Sequence, residues 1–379
     1  MSYDLHQKLR TTSVRQIKRK DYAGAVTTLY DGAKSLLEQK EYGSGCDLGV
    51  MMLDAYSKGA LESSPETRER IATLLRLSAP DFWRKKLLDA AIKWSIQVTS
   101  MPFGDGLLRL AIADVLAAEG SYYAAETHYL HASAQPPSVP DAKKWFDAEA
   151  PKRFAAMQLR WLEAQATDAG AQKIAALRTD AGRWALRGLL PLLQARALTA
   201  SRAFLAAYVS ALCSAHPTLL LPTTPNPKAF SPPAGTGPAE QVQLYLTGNA
   251  DLNFAQMLLA LVAQAVSVKK TGAPVPDALK QQWGQLVAQY EREGGALQEE
   301  AFVGEAIDPI STLYFDIRPQ RPQGNFMQDM LSSLMGGGGA GAAAGGAPAP
   351  APVRQPPPPQ SRAQQEAPAA SAEEELDLD

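Results

Sequence analysis

One phrase recurs along the chain and restricts its fold more than any other feature. Asp21-Tyr22-Ala23-Gly24-Ala25 opens a segment with apolar residues at Val26, Leu29, Tyr30, Ala33, Leu36 and Leu37, the i, i+3, i+4, i+7 spacing of one helix face. Glu41-Tyr42 opens the next segment, with Leu48, Met51, Met52, Ala55 and Tyr56 on its inner stripe. Glu119-Gly120-Ser121-Tyr122-Tyr123-Ala124-Ala125 repeats the phrase ahead of Tyr129, Leu130 and Ala132. Small residues near a helix start let a neighbouring helix approach closely, and the tyrosine fills the groove beside it. Helices built this way bury their apolar faces by stacking on one another. The expected fold class is all-α, an α-solenoid of stacked helical hairpins similar to tetratricopeptide arrays but without their strict period.

Other segments fit the same plan. Pro65–Ser78 starts with a proline suited to a first helical turn and turns Ile71, Leu74 and Leu75 inward. Asp81 caps a helix to Val98, and Leu107–Ala118 follows the Pro102-Phe103-Gly104-Asp105-Gly106 turn. Pro136-Pro137 to Pro140 breaks the array, after which helices are expected at about 141–149, 152–168, 171–195 and 197–215. The uncharged run Ala203–Leu221 approaches membrane-spanning length but holds Ser210, Ser214, His216 and Pro217, so it reads as a buried helix entering a loop. Strand character is confined to Pro217–Gly248. There Val242-Gln243-Leu244-Tyr245-Leu246 alternates and predicts one arm of a small β-hairpin within 228–247, opposite an arm around Lys228–Ser231 that Pro232-Pro233 cuts short. Helices resume at Leu252–Val268, Pro276–Glu291 and Leu297–Ile317, and Asn325–Met335 reads as a short Met-rich amphipathic helix.

A chain of 379 residues exceeds one usual core. The expected division is an N-terminal helical half over 1–150, a C-terminal half over 151–335 and a tail over 336–379. The tail holds seven Gly, eight Pro and twelve Ala with no aromatic residue, too little apolar area to offset chain entropy, and is expected to be disordered. It also carries six acidic residues against two arginines. The formal charge of −2 thus divides into an acidic tail and a body with 35 basic and 33 acidic residues. That balance argues against a general nucleic-acid binder.

Chemistry is sparse. Cys46 and Cys213 make no disulfide framework and have no neighbouring His to act as base. There is no Asn-X-Ser/Thr acceptor and no apolar signal segment in Met1–Lys20, where Asp4 interrupts any basic transit pattern, so a reducing, cytosolic setting is expected. Gly43-Ser44-Gly45-Cys46-Asp47-Leu48-Gly49 superficially resembles a phosphate loop. It follows a helix and lacks the Lys-Ser/Thr pair, so it reads as an inter-helix turn. His128 and His131 with Glu126 lack the i, i+4 spacing and third ligand of a zinc site. No cofactor, metal or catalytic residue is expected, nor is direct membrane insertion. Arg15-Gln16-Ile17-Lys18-Arg19-Lys20 is either a solvated helix face or a docking patch for an acidic partner. From the repeats alone, a scaffold subunit of a proteasome-lid or signalosome type also fits, although Leu313–Met335 does not resemble the winged helix such subunits carry.

Several segments resemble one family. Asp251-Leu252-Asn253-Phe254 with Met257-Leu258-Leu259, then Leu313-Tyr314-Phe315-Asp316-Ile317 and Gln323-Gly324-Asn325-Phe326-Met327-Gln328-Asp329-Met330, are similar to the Golgi-to-ER traffic scaffold family, adaptors of tail-anchored membrane-protein targeting. Lys93-Trp94-Ser95, Phe103-Gly104-Asp105 and Tyr129-Leu130-His131 also match, and the likeness covers most of 3–336. It implies an α-solenoid whose first half docks the targeting ATPase and whose second half, with a β-hairpin, holds a ubiquitin-like-domain co-chaperone. Tyr3-Asp4-Leu5-His6-Gln7 and Arg10-Thr11 resemble the family's second-helix motif, so the chain is expected to begin within that helix. The resemblance implies an ATPase-facing surface of Tyr3, His6, Arg10, Arg15 and Lys18, with Glu66 or Glu69 as an acidic regulatory element. For the ubiquitin-like partner it implies Leu244, Tyr245, Phe254, Phe326, Met330, Leu331 and Leu334.

Overall fold

A computed structural model describes residues 2–134, 143–230 and 242–318. The first hairpins follow the recurring phrase: α1 (Ser2–Lys18), α2 (Tyr22–Glu38) and α3 (Tyr42–Lys58) pack in succession. The joints explain why the phrase recurs. Lys20, Lys40, Ala60 and Gly120 all take left-handed backbone angles just past a helix end. At each, the next amide reaches back to the helix, as in Asp21 N to Gln16 O at 3.0 Å, Glu41 N to Leu36 O at 2.9 Å and Ser121 N to Leu116 O at 2.9 Å. These are Schellman closures, which satisfy the last carbonyls of one helix while starting the next.

The array continues through α4 (Pro65–Leu77), α5 (Phe82–Thr99), α6 (Gly106–Ala118) and α7 (Tyr122–Ala134). Asp81 caps α5 as expected, accepting from Trp83 N at 2.9 Å and Arg84 N at 3.0 Å. The glycine-rich motif is not a turn but the first turns of α3. A methyl at Gly45 would lie 2.6 Å from Leu37 Cγ, and one at Gly49 would lie 2.8 Å from Leu87 Cδ1. These glycines admit the neighbouring helices.

Then come α8 (Lys143–Asp168), α9 (Lys173–Gln194) and α10 (Leu198–Ala215). The expected break between helices at 149 and 152 does not occur, since α8 runs unbroken through Pro151. A proline inside a helix removes one hydrogen bond, and here burial of Ala150, Phe154, Ala155 and Met157 around it outweighs the loss. The uncharged run is α10 followed by a short turn at Pro217–Leu219, with Phe204, Leu205, Tyr208 and Leu212 in the core.

β1 (Lys228–Phe230) and β2 (Val242–Leu244) pair antiparallel, with Lys228 opposite Leu244 and Phe230 opposite Val242. α11 (Ala250–Lys270) and α12 (Asp277–Glu293) follow. The last expected helix is divided into α13 (Ala296–Glu299) and α14 (Ala301–Phe315), because Glu300 is extended and both Glu299 and Glu300 turn to Arg183 of α9. α10 and α11 are long and apolar enough to cross a membrane by composition, yet each packs on α9. The expectations for Asn325–Met335 and for the tail 336–379 lie outside the described residues.

Candidate partner-docking surfaces

α1 carries the first surface. Among its exposed residues Tyr3, Gln7, Arg10, Thr11, Val14, Arg15 and Lys18 lie along one strip, with Asp4, Lys8 and Thr12 exposed beside it, and Tyr3 is 68% exposed. Arg15 and Lys18 meet no carboxylate among the described residues, and the C-terminal end of a helix favours such cations. His6 points the other way. It is 7% exposed, and its Nε2 lies 2.9 Å from Asp47 Oδ2 on α3. Asp47 also takes Arg10 Nη1 at 3.4 Å, so one carboxylate ties two turns of α1 to α3. Sequence reasoning missed Asp47, whose signal was an acidic residue inside a glycine-rich helix start. It also missed Gln7, Thr11 and Val14, which the i, i+4 spacing from Tyr3 and Arg10 would have found.

Glu66 and Glu69 stand on α4, which packs against α2. Glu66 accepts from Arg70 Nη2 at 2.6 Å; Glu69 pairs with Arg76 and accepts from Thr73 Oγ1 at 3.2 Å. Both are exposed and already partnered on their own helix.

The second surface is a cleft of about 440 Å³ between α10, β2 and α11. Leu205, Val209, Leu244, Tyr245, Leu259 and Ala260 give it an apolar lining, with Arg202 at its border. Leu244 and Tyr245 are thus brought together in it, whereas Phe254 is not. Phe254 is 1% exposed, its ring centroid 5.0 Å from that of Tyr290, and it forms core beneath the cleft. Phe326, Met330, Leu331 and Leu334 lie outside the described residues.

The segment just after β2 is held by side-chain amides, Gln256 and Asn253 from α11 and Asn226 from the loop before β1. Gln256 accepts from Tyr245 N at 2.8 Å and donates to Tyr245 O at 2.9 Å. Asn226 treats Leu246 likewise, at 3.0 and 2.8 Å, and Asn253 treats Thr247 at 3.2 and 2.8 Å. Three consecutive residues therefore have both backbone groups engaged by one amide each, beside the isolated antiparallel bridge from Leu220 to Thr247. Asn249 caps α11 at Leu252 N, 2.7 Å, and donates to Arg178 O of α9 at 2.6 Å. The sequence signal was a polar residue, Gln256, on an otherwise buried helix face.

The remaining candidates separate into structural roles. Glu126 accepts from Arg187 through both carboxylate oxygens at 2.6 Å, His128 Nδ1 sits 3.2 Å from Arg109, and His131 stacks on Phe103 at 4.2 Å. The three point to different neighbours. Cys46 and Cys213 are buried, and burial pushes both thiols up to about 11, so they stay protonated at neutral pH.

The comparisons with known proteins agree with one another. A family model described as Golgi to ER traffic protein 4 matches residues 19–335. Golgi to ER traffic protein 4 of Schizosaccharomyces pombe is 36% identical over 129 residues, 34% of this chain and 42% of that protein. The Homo sapiens Golgi to ER traffic protein 4 homolog is 27% identical over 132 residues, 35% of this chain and 40% of its own. The matched region is thus less than half the length of these relatives. In three dimensions, the crystal structure of C. therm. Get4 is similar over 91% of this chain and 93% of its own, with a TM-score of 0.63 at 24% identity, which shows a shared fold.

Proposed function

The chain belongs to the Golgi to ER traffic protein 4 family, and from that membership we propose that it is a non-enzymatic cytosolic adaptor in the targeting of tail-anchored membrane proteins to the endoplasmic reticulum. In this reading the half spanning 1–150 receives the targeting ATPase on the strip of Tyr3, Arg10, Arg15 and Lys18. His6 acts from behind the strip by fixing Asp47 and the pose of α1, and Glu66 or Glu69 supplies the acidic element beside it. The half spanning 151–335 receives the ubiquitin-like-domain co-chaperone at the cleft of Leu244 and Tyr245, which Phe254 supports from below; the family likeness adds Phe326, Met330, Leu331 and Leu334 as further residues for that partner.

The observation that carries the reading is that one helical body presents two unlike surfaces, a cationic strip on α1 and an apolar cleft between α10 and α11, built from separate helices. Two partners held on one rigid body meet at a high effective concentration, so a client passes between them almost intramolecularly.

The test is a binding assay with both purified partners. Arg15→Glu with Lys18→Glu is expected to weaken ATPase capture by about tenfold or more, most at low salt, while co-chaperone binding is unchanged. Tyr245→Asp is expected to do the reverse. Unchanged ATPase binding at low salt would remove the strip from the proposal, and loss of both partners in either variant would remove the separation of surfaces.

A further inference from the structure

Neither docking surface uses the groove between α5 and α7. Leu88, Ile92 and Ile96 of α5 form its apolar floor, and Lys93, Asp89 and Arg109 are its charged members. Arg109 is the unusual one. It is 8% exposed, its Nε donates to Phe103 O at 2.8 Å, and its Nη1 lies 3.2 Å from His128 Nδ1. An arginine has only donors, so Nδ1 must accept and His128 is neutral there. Burial, then Arg109 itself, pushes His128 down to about 3, which keeps it neutral across the physiological range. No carboxylate pairs with Arg109 among the described residues, and burial pulls its own pKa down to about 10. Arg84, buried to a similar degree, has Glu119 at 2.7 Å. A desolvated guanidinium that lines an open groove without a counter-charge is a costly arrangement that an incoming anion relieves.

The surface beside it has a helical repeat. Phe82, Lys86, Asp89, Lys93 and Ile96 follow one another at alternating four- and three-residue steps along α5, and all are exposed. Phe82 is 67% exposed, with Lys86 Nζ 6.0 Å from its ring. Phe103, also exposed, stacks on His131 of α7, the other helix that borders the groove. Apolar anchors, Phe82 and Ile96, thus stand at both ends of a row whose middle carries Lys86 and Lys93 against Asp89, with Arg109 in the groove beside it.

We propose that this groove binds an acidic amphipathic helix of a partner protein, distinct in place from both surfaces above. A Glu or Asp carboxylate bonds Arg109 and Lys93, while aliphatic side chains of the same helix lie on Leu88, Ile92 and Ile96. Helix-in-groove recognition has this form, with spaced apolar anchors for affinity and charge for register.

The experiment uses the full chain and a fluorescein-labelled synthetic helix of Leu, Ala and Glu, followed by anisotropy at low salt, beside an analogue with every Glu replaced by Gln. The Glu peptide is expected to bind at least about tenfold tighter than the Gln peptide, and Lys93→Glu to weaken it by about tenfold. Lys93 is exposed, so that variant keeps its fold where Arg109→Gln risks losing it. Lys34→Glu, an equal charge change on α2, is expected to leave the peptide affinity as it was. Equal binding of the two peptides, or equal weakening by Lys34→Glu and Lys93→Glu, would overturn the proposal. Full displacement of the peptide by millimolar inorganic phosphate would also overturn it, marking a small-anion site.

Discussion

The two ends of the described solenoid are held together by different means. From α1 to α3 the joints are short Schellman closures, and apart from the His6 and Arg10 ties to Asp47 the helices meet through aliphatic side chains against glycine. Around β2 and α11 the joints are side-chain amides that reach across the chain: Asn226 to Leu246, Gln256 to Tyr245 and Asn249 to Arg178. The first kind of joint is local and repeats, so loss of one part leaves the others intact. The second is a network in which each amide satisfies two backbone groups at once, and a missing member strands both. The strip on α1 inherits the tolerance of its scaffold, and the cleft beside α11 inherits the exactness of its hydrogen bonds.

The comparison is broken most severely at Gly182 of α9. A methyl there would sit 2.3 Å from Leu252 N and 2.4 Å from Asn249 Oδ1, at the capped start of α11. Gly182→Ala is expected to cost about 3 kcal/mol, because backbone and cap have no room to move, and to empty the cleft of its partner. Gly45→Ala in α3 meets the end of the Leu37 side chain at 2.6 Å and the Ala33 carbonyl oxygen only at 3.1 Å, and is expected to cost less. Thermal unfolding of the two variants side by side measures the difference, and equal losses would mean that the two regions are equally rigid.

A smaller effect is expected from Gln256→Leu, which keeps the volume but leaves the Tyr245 amide and carbonyl unpaired. Its cost is about 2 kcal/mol. Denaturant titration measures the loss, and binding assays should find the co-chaperone lost while ATPase binding to α1 persists. Smallest are the caps of the recurring phrase. Asp21 accepts from Gly24 N at 2.9 Å, whereas Glu41 in the equivalent position makes no such bond. Asp21→Ala should therefore cost about 1 kcal/mol and Glu41→Ala close to nothing. Helical circular dichroism on melting separates the two, and a matching loss at Glu41 would show that the phrase works through charge at the helix start.

How legible each part was follows from the range of the forces involved. The Tyr22 and Tyr42 helices, the Asp81 cap and the Ala203–Leu221 helix were readable because spacing, capping and burial all act within a few residues of one another. The error at Pro151 came from the same source, since a local rule foresaw a break that the burial of Phe154 and Met157 overrode. On the strip, Arg15 and Lys18 were readable as an exposed basic face, and Tyr3 and Arg10 were named through the family likeness. That His6 turns inward to Asp47 was not, because 41 residues separate the pair. Leu244 and Tyr245 could be named from alternation, yet the amides that set them beside α11 have no periodic signature.

The recurring phrase by itself determined that this protein is a stack of helical hairpins, since each helix it specifies has one apolar face and must hide it against the next. Its family likeness was also carried by the sequence, in motifs from Tyr3 to Met330. Which groups on that stack face outward together was decided only by the tertiary structure. Asp47, Gln256 and the uncompensated Arg109 take their meaning from residues distant in the chain, and the free energy of a hydrogen bond or a buried charge depends on what packing places beside it.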